Sequence, residues 1–329
     1  MALLAVNRPG AAESAFRTVL ALDPGNVNGH VGLAEALMLQ GRWEEGLREF
    51  EWRLQREEDG RLQRQLPGRP WQGEPLRGRS LLVYNEQGLG DALHFARYLP
   101  ALSGGPVVVW VQDALVDLLR QLPGDRTVVG LSSPAPPTDF HASMTSLGHL
   151  LGLGPEGPKP GPYLAAAPGV ADPWDRKLPP RPRVGICWRG NPRHPNDRNR
   201  SVQASLLGRL LDLPGVGWVG LQVPPSAEEA ALLPGLFQAG PGIRTFEDTT
   251  GVLASLDLLI TVDTSLVHLA GAMGVPTWLL LPHVPDWRWL LEREDSPWYP
   301  SLRLFRQGPD RAWAPVLERV HDALGERYG

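Results

Sequence analysis

Two stretches of this sequence, far apart along the chain, place small, polar and acidic residues where an apolar run gives way to helical spacing. In Asn85–Pro100, NEQGLGDALHFARYLP, Gly88 and Gly90 precede Asp91 just after an apolar run at 80–84. Glycines there allow a tight turn and the close approach of a ligand, and an aspartate at a helix start accepts from unpaired backbone N–H groups. Asp91 is therefore either a helix cap or a carboxylate available as a general base. Glu86 and His94 flank it. His94 lies three residues on and nearly on the same helical face, where it contacts an acceptor or simply packs. A dinucleotide fingerprint needs a further glycine at position 93, which is Leu, so an oxidoreductase reading loses most of its support.

The second stretch begins with Leu258–Val262, too short and apolar for a lone helix and suited to a buried strand. Asp263, Thr264 and Ser265 then offer helix-start oxygens. Leu266, Leu269, Ala270 and Met273 follow at helical spacing, Gly274 and Pro276 end the helix, and Thr277–Leu281 is a second strand. Where such a strand meets the helix's amino end, unpaired N–H groups and the positive end of the helix dipole suit a phosphate. His268 shares the face of Thr264 and Ser265 and contacts a bound donor or sits in the core. Asp286, Trp287, Arg288 and Trp289 follow the second strand on a loop that should reach the cleft, with sugar or acceptor contact as one role for the aromatic rings and core filling as the other.

A third stretch, 188–201 or WRGNPRHPNDRNRS, carries Arg189, Arg193, Arg198 and Arg200. Guanidinium forks suit a diphosphate, and a solvated basic loop is the plainer alternative. Gln222 at a strand end, and Glu247 with Thr249 at a helix start, are candidates for base or ribose contact; capping explains the last two as well.

The elements that must position these residues alternate. Strands are expected at 80–84, 106–111 and weakly at 127–131, with helices at 91–102 and 113–122. A second series has strands at 183–188, 216–221 and 242–245, helices at 203–212, 226–238 and 248–255, the unit described above, and a final helix at 311–326. This is α/β wiring. Ahead of it, Ala12, Phe16, Val19, Leu20 and Pro24, then Leu33, Ala34, Leu37, Gly41, Trp43, Gly46 and Phe50, follow tetratricopeptide spacing over about one and a half repeats. Such helices either cap the α/β body or form an arm for a protein partner. The division expected is 1–58 tetratricopeptide-like helices, 59–79 linker, 80–165 first Rossmann-like (acceptor) domain, 166–182 hinge and 183–329 second (donor) domain, with a ligand cleft between the two α/β domains.

A net charge of −4 gives no reason to expect nucleic acid or an anionic membrane as partner. Cys187 is the only cysteine, so no intrachain disulfide forms. The first residues lack the basic and apolar regions of a secretion signal, and no run approaches the roughly 20 apolar residues of a membrane span. A cytoplasmic protein, with at most peripheral contact at the inner membrane, is expected.

GLGDALHFARYLP together with VDTSLVHLAGAMGVPTWLLL resembles the heptosyltransferase-like glycosyltransferases of family 9, and PDWRWLLEREDSPWYPSLRLFRQ resembles their bacterial tetratricopeptide-linked branch. The similarity covers about residues 70–310. It implies a GT-B fold, two Rossmann-like domains preceded here by a short all-α segment, and a nucleotide-sugar donor held mainly by the second domain. It implies no metal and no cofactor beyond the nucleoside-diphosphate sugar substrate; the absence of an Asp-x-Asp triplet agrees with that. On this resemblance Asp91 is the catalytic base, Asp263, Thr264 and Ser265 hold the diphosphate and sugar, and Arg200 stands where the family often has a phosphate-binding lysine. Ser265 departs from the glycine often found there.

The expected function is that of an inverting glycosyltransferase acting on a glycan, lipopolysaccharide or protein hydroxyl. Arg198, Arg200, Gln222, Asp263, Thr264, Ser265 and His268 face the donor, and Glu86, Gly88, Gly90, His94, Asp286 and Trp287 contact acceptor or loop. The rivals are a non-catalytic tetratricopeptide/GT-B interaction module and a GT-B-like nucleotide-sugar epimerase.

Overall fold

The computed structural model describes residues 2–56, 66–223 and 226–329. It divides into two compact units, Met1–Pro160 with Val284–Arg293, and Gly161–His283 with Glu294–Gly329. The first unit thus takes in the helical segment, and it also takes 284–293 from within the span suggested for the second α/β domain.

The first unit starts with three helices, α1 (Pro9–Leu22), α2 (Val27–Leu39) and α3 (Trp43–Phe50), followed by a 3-10 turn at Glu51–Gln55. Pro9 sits at the first helical position of α1, where its missing N–H costs nothing. The Asn26 side chain caps α2 by accepting from Gly29 N at 2.8 Å. The helices pack closely because Gly32 leaves room for the Phe16 ring; a Cβ there would lie 2.3 Å from it.

Five parallel strands follow: β1 (Arg69–Pro70), β2 (Leu81–Tyr84), β3 (Val107–Val111), β4 (Arg126–Gly130) and β5 (Phe140–Ser143), in the spatial order β1-β5-β2-β3-β4. All four residues of β2 are buried, as a strand covered on both faces requires. Two of these strands were not expected. β1 lies in the span read as linker 59–79, whose residues 59–65 fall outside the described residues. β5, Phe-His-Ala-Ser, has too few apolar residues to signal a strand, yet all four are buried. The helix expected at 91–102 is an α-helix only over Leu89–Phe95 and continues as 3-10 through Ala96–Ala101, which contains Pro100.

The second unit has six parallel strands: β6 (Arg183–Cys187), β7 (Gly217–Gly220), β8 (Phe237–Gln238), β9 (Leu258–Val262), β10 (Thr277–Leu281) and β11 (Leu302–Arg306). Their order is β11-β10-β9-β6-β7-β8. Counted from β6, that is the 3-2-1-4-5-6 order of a dinucleotide-type doubly wound sheet. β9 and β10 occupy the spans read from the sequence, because both are apolar runs buried along their whole length. Apolar residues of β6, β9, β10 and β11, including Val184, Ile260, Leu280 and Phe305, share one core with Val316, Leu317 and Val320 of the last helix, Ala314–Tyr328.

Two expectations fail here. The helix expected at 226–238 ends at Leu232, since Pro234 and Gly235 break it, and β8 forms just beyond. No strand occupies 242–245: Gly240–Gly242 is a 3-10 turn, and Thr245 caps the helix Phe246–Ala254 by accepting from Asp248 N at 3.1 Å. β11 was missed because its polar residues alternate with apolar ones at a sheet edge.

Candidate functional site

Each sheet reverses its strand order beside its first long strand, between β5 and β2 in the first unit and between β9 and β6 in the second. Loops leaving the carboxyl ends of the flanking strands diverge there and leave room for a ligand. The candidate residues cluster at these two points.

In the first unit, Gly88 precedes the helix Leu89–Phe95, and Asp91 lies in its first turn. Asp91 Oδ2 accepts from Gly88 N at 3.0 Å, so the capping role is real. Its Oδ1 accepts from Arg288 Nη2 at 2.6 Å, while 29% of the side chain stays exposed. Each carboxylate oxygen has two acceptor sites, so these bonds leave lone pairs open. Burial pushes the Asp91 carboxyl above the ordinary carboxylate range; Asp286 and Glu86 push the same way, against Arg288 and the Gly88 N–H.

Arg288 belongs to the turn Trp287–Trp289. Asp286 caps that turn, its Oδ1 accepting from both Arg288 N and Arg288 Nη1 at 3.0 Å. The Arg288 guanidinium lies 4.2 Å from the Trp287 ring centre and 5.4 Å from that of Phe95. Trp287 is buried, 5.9 Å from Trp43 at the start of α3 and 6.4 Å edge-on from His94. His94 is wholly buried and edge-on to Phe95 as well. Its geometry is that of a packed ring.

Glu86 is held differently. Arg53, from the turn after α3, donates to its Oε1 through Nη2 at 2.9 Å and Nε at 3.2 Å. The same Nη2 reaches Ser143 Oγ and Ser146 Oγ, each at 2.9 Å, and Ser143 Oγ donates back to Glu86 at 2.6 Å. Arg53 and Glu86 side chains are 1% and 3% exposed. Burial disfavours the Arg53 charge, but Glu86 and Glu51 outweigh it and hold the guanidinium protonated. Arg53 thus fills the switch point between β2 and β5. Nearby on α2, burial raises the Glu35 carboxyl, and the Asp286 charge adds to that.

In the second unit, Thr264 caps the helix Ser265–Met273, accepting from Leu266 N at 3.3 Å, and Gly274 ends it in the left-handed region (φ 72°). Asp263, Thr264 and Ser265 are partly exposed at the end of β9. On the other side of the switch point Arg200 donates through Nη1 to Asp263 O at 2.7 Å and through Nε to Asp197 Oδ1 at 3.3 Å. Arg198 and Arg193 are exposed on the same loop, whereas Arg189 pairs with Glu229 at 2.9 Å.

Gln222 is buried and bonds both ways with the Arg189 backbone at 3.2 Å, tying the ends of β6 and β7. His268 is buried, its Nδ1 3.1 Å from Tyr299 Oη. Thr249 bonds back to Thr245 O, and Asp248 rather than Glu247 completes the cap of that helix.

The structure therefore gathers Asp91, Gly88, Gly90, Glu86, His94, Asp286 and Trp287 in the first unit, and Arg200 with Asp263, Thr264 and Ser265 in the second. Sequence reasoning missed Arg53 and Glu35 altogether, and placed Arg288 on the loop with its two tryptophans without giving it a role. An arginine inside an aromatic run was the only available signal, since its partner is 197 residues away. Among the described residues, no group of three His, Cys, Asp or Glu could hold a metal ion.

A tetratricopeptide repeat model matches residues 3–64. Protein FlbA of Caulobacter vibrioides is 29% identical over 322 residues, which cover 88% of this chain and 54% of that protein. The chain thus spans about half the length of that relative. Among solved structures, a family 9 glycosyltransferase from Veillonella parvula aligns with a TM-score of 0.53 at 11% identity, over 77% of this chain and 90% of the other. The fold is GT-B. Two parallel Rossmann-like sheets and an N-terminal tetratricopeptide segment are as the sequence led one to expect. Among the described residues no helix is long and apolar enough to cross a membrane.

Proposed function

We propose that the protein is an inverting, metal-independent glycosyltransferase of hexosyl- or heptosyltransferase type, moving a sugar from a nucleoside-diphosphate donor to a hydroxyl of a glycan, lipopolysaccharide or protein. The observation that carries this reading is the state of Asp91: a carboxylate made more basic by burial, fixed by two donors, and still partly open, at the switch point of a GT-B sheet.

In this reading Asp91 takes the proton of the acceptor hydroxyl as its oxygen bonds to the anomeric carbon. The bond from that carbon to the diphosphate breaks on the opposite face, which inverts the centre. The negative charge gathering on the leaving diphosphate is met by the amino end of Ser265–Met273 and by Arg200. Asp286 and Trp287 shape the acceptor side. The helical segment is available to a protein partner or protein acceptor, and the enzyme works in the cytoplasm with at most peripheral contact at the inner membrane.

The test is a screen of ADP-, GDP-, UDP- and dTDP-sugars by thermal shift. Turnover with the stabilising donor then follows, with and without acceptor and chelator, for wild type and Asp91→Asn. Acceptor-dependent transfer with inverted anomeric configuration, unaffected by chelator and lost in Asp91→Asn, supports the reading. Donor conversion without any acceptor would instead indicate an epimerase, and donor binding without turnover an interaction module.

A further inference from the structure

The reaction as written gives Arg288 no part, although its side chain is 8% exposed and touches the proposed base. We propose that Arg288 is a positioning residue that keeps Asp91 ionised and aims its open lone pairs, braced by Trp287 and, through it, by Trp43 of the helical segment. This rests on Asp91 being the general base.

Among the described residues, the following charges bear on Asp91. Asp286 and Glu86 are carboxylates and oppose its ionisation. Glu35, on α2, is a further carboxyl that feels the Asp286 charge. Arg53 is spent on Glu86, Glu51 and two serines. His94, on the same short helix, is buried against rings. The favourable contacts are the Gly88 N–H and Arg288, and Arg288 alone of these carries a full charge.

Its geometry suits a fixed guanidinium. Nη2 bonds Asp91 at 2.6 Å while Nη1 bonds Asp286 at 3.0 Å, so the fork spans both carboxylates. The rings of Trp287 and Phe95 cover it. Because Asp286 holds the second nitrogen, Arg288 keeps its place when Asp91 takes up a proton. The turn then ends at Leu290 with φ 53° and ψ −163°, a backbone conformation rarely adopted outside glycine. Such a conformation persists only where the surroundings over-determine it, as they do for a turn pinned by Asp286 and by two buried tryptophans.

The experiment compares pH profiles of kcat/KM for the full chain, Arg288→Gln and Arg288→Lys, with donor Kd measured alongside. Losing an opposite charge at this range raises a carboxyl pKa by roughly 1 to 3, so in Arg288→Gln the acid limb should move up by about one pH unit or more while donor Kd stays constant. Arg288→Lys should leave the limb near its wild-type position but lower kcat several-fold, because one ammonium cannot span Asp91 and Asp286 as the fork does. Carboxyl NMR of the aspartate-labelled protein, with Asp91 assigned through Asp91→Asn, reads the same shift without turnover.

An Asp91 resonance that titrates at the same pH in Arg288→Gln overturns the proposal. If Arg288→Gln does not fold, Arg288→Lys decides, and wild-type kcat in it overturns the proposal as well. Full turnover by Asp91→Asn removes the general-base reading itself, whereas an inactive Asp91→Asn with an unmoved acid limb in Arg288→Gln removes only the role given to Arg288.

Discussion

The two sheets share one wiring beside their switch points and fill those points in opposite ways. In the first unit the junction of β2 and β5 is closed with charges brought from elsewhere in the chain: Arg53 reaches Glu86 from the helical segment, and Arg288 reaches Asp91 from 197 residues further on. In the second unit the junction of β6 and β9 is made from the segments that follow those two strands, with Arg200 spanning to the carbonyl of Asp263 and the helix start left partly exposed. The difference follows from what each point has to do. A base needs a poorly hydrated carboxylate held in one orientation, so its surroundings must be closed and charge-balanced. An anion site needs donors facing open space, and a strand-to-helix junction supplies those with little help.

The largest effect expected concerns the base. Asp91→Asn should lower kcat by about 10² to 10⁴, the usual worth of general-base assistance, while donor affinity measured by calorimetry stays within error. Because the Asp91 carboxyl titrates above the ordinary aspartate range, wild-type kcat/KM should fall as pH drops through that raised value, sooner than an unperturbed aspartate would dictate. Equal losses of turnover and donor binding would erase the contrast between the two junctions.

Next comes Arg53. Removing one partner of a buried ion pair typically costs about 3 to 5 kcal/mol, so Arg53→Met should lower stability in denaturant by an amount of that order. Arg53→Met with Glu86→Leu should recover part of the loss, since neither charge is then left alone. A cost under about 1 kcal/mol, the surface-pair range, would mean that the helical segment is only loosely attached to the first sheet.

These two residues mark the limit of what the sequence makes legible. β9, β10 and the helix between them can be read because their signals are local: apolar runs buried on both faces, Thr264 at the cap, Gly274 beyond the end. Asp91 was legible as a cap because that role follows from its place after Gly88. β5 was not, because His141 and Ser143 are polar residues made tolerable only by distant partners, Pro67 O at 3.0 Å and Arg53. For the same reason Glu86 read as an acceptor or loop contact, and its partner Arg53 inside the unit went unread. Arg288 and Arg53 show the general rule: a buried charge pair carries no periodicity, and its two halves are joined only by the fold.

A smaller effect tests the open junction. Arg200→Ala should weaken donor binding by about ten- to a hundredfold, the range for one hydrogen bond to a charged group at roughly 1.5 to 3 kcal/mol, with the loss confined to nucleotides that carry a diphosphate. Since Arg200 also holds Asp263 O, the melting temperature should be measured on the same sample. Unchanged nucleotide affinity with a lowered melting temperature would leave Arg200 as a brace for the junction and nothing more.

The smallest effect belongs to Thr264. Its hydroxyl accepts from Leu266 N at 3.3 Å, a long bond for a cap, and its backbone is extended (φ −142°, ψ 178°) as a cap requires. Replacing such a residue with alanine costs about 0.5 to 2 kcal/mol, and the length of this bond argues for the lower end. Donor binding should fall less than in Arg200→Ala, because the N–H groups and the helix dipole remain when the hydroxyl is gone, and a dipole-scale contribution is only about 0.3 to 1 kcal/mol. Thr264→Ser restores the acceptor oxygen and should restore both quantities. If instead Thr264→Ala abolishes donor binding while Thr264→Ser rescues it at unchanged stability, the hydroxyl contacts the donor directly. The second junction would then depend, like the first, on a specific side chain rather than on backbone donors.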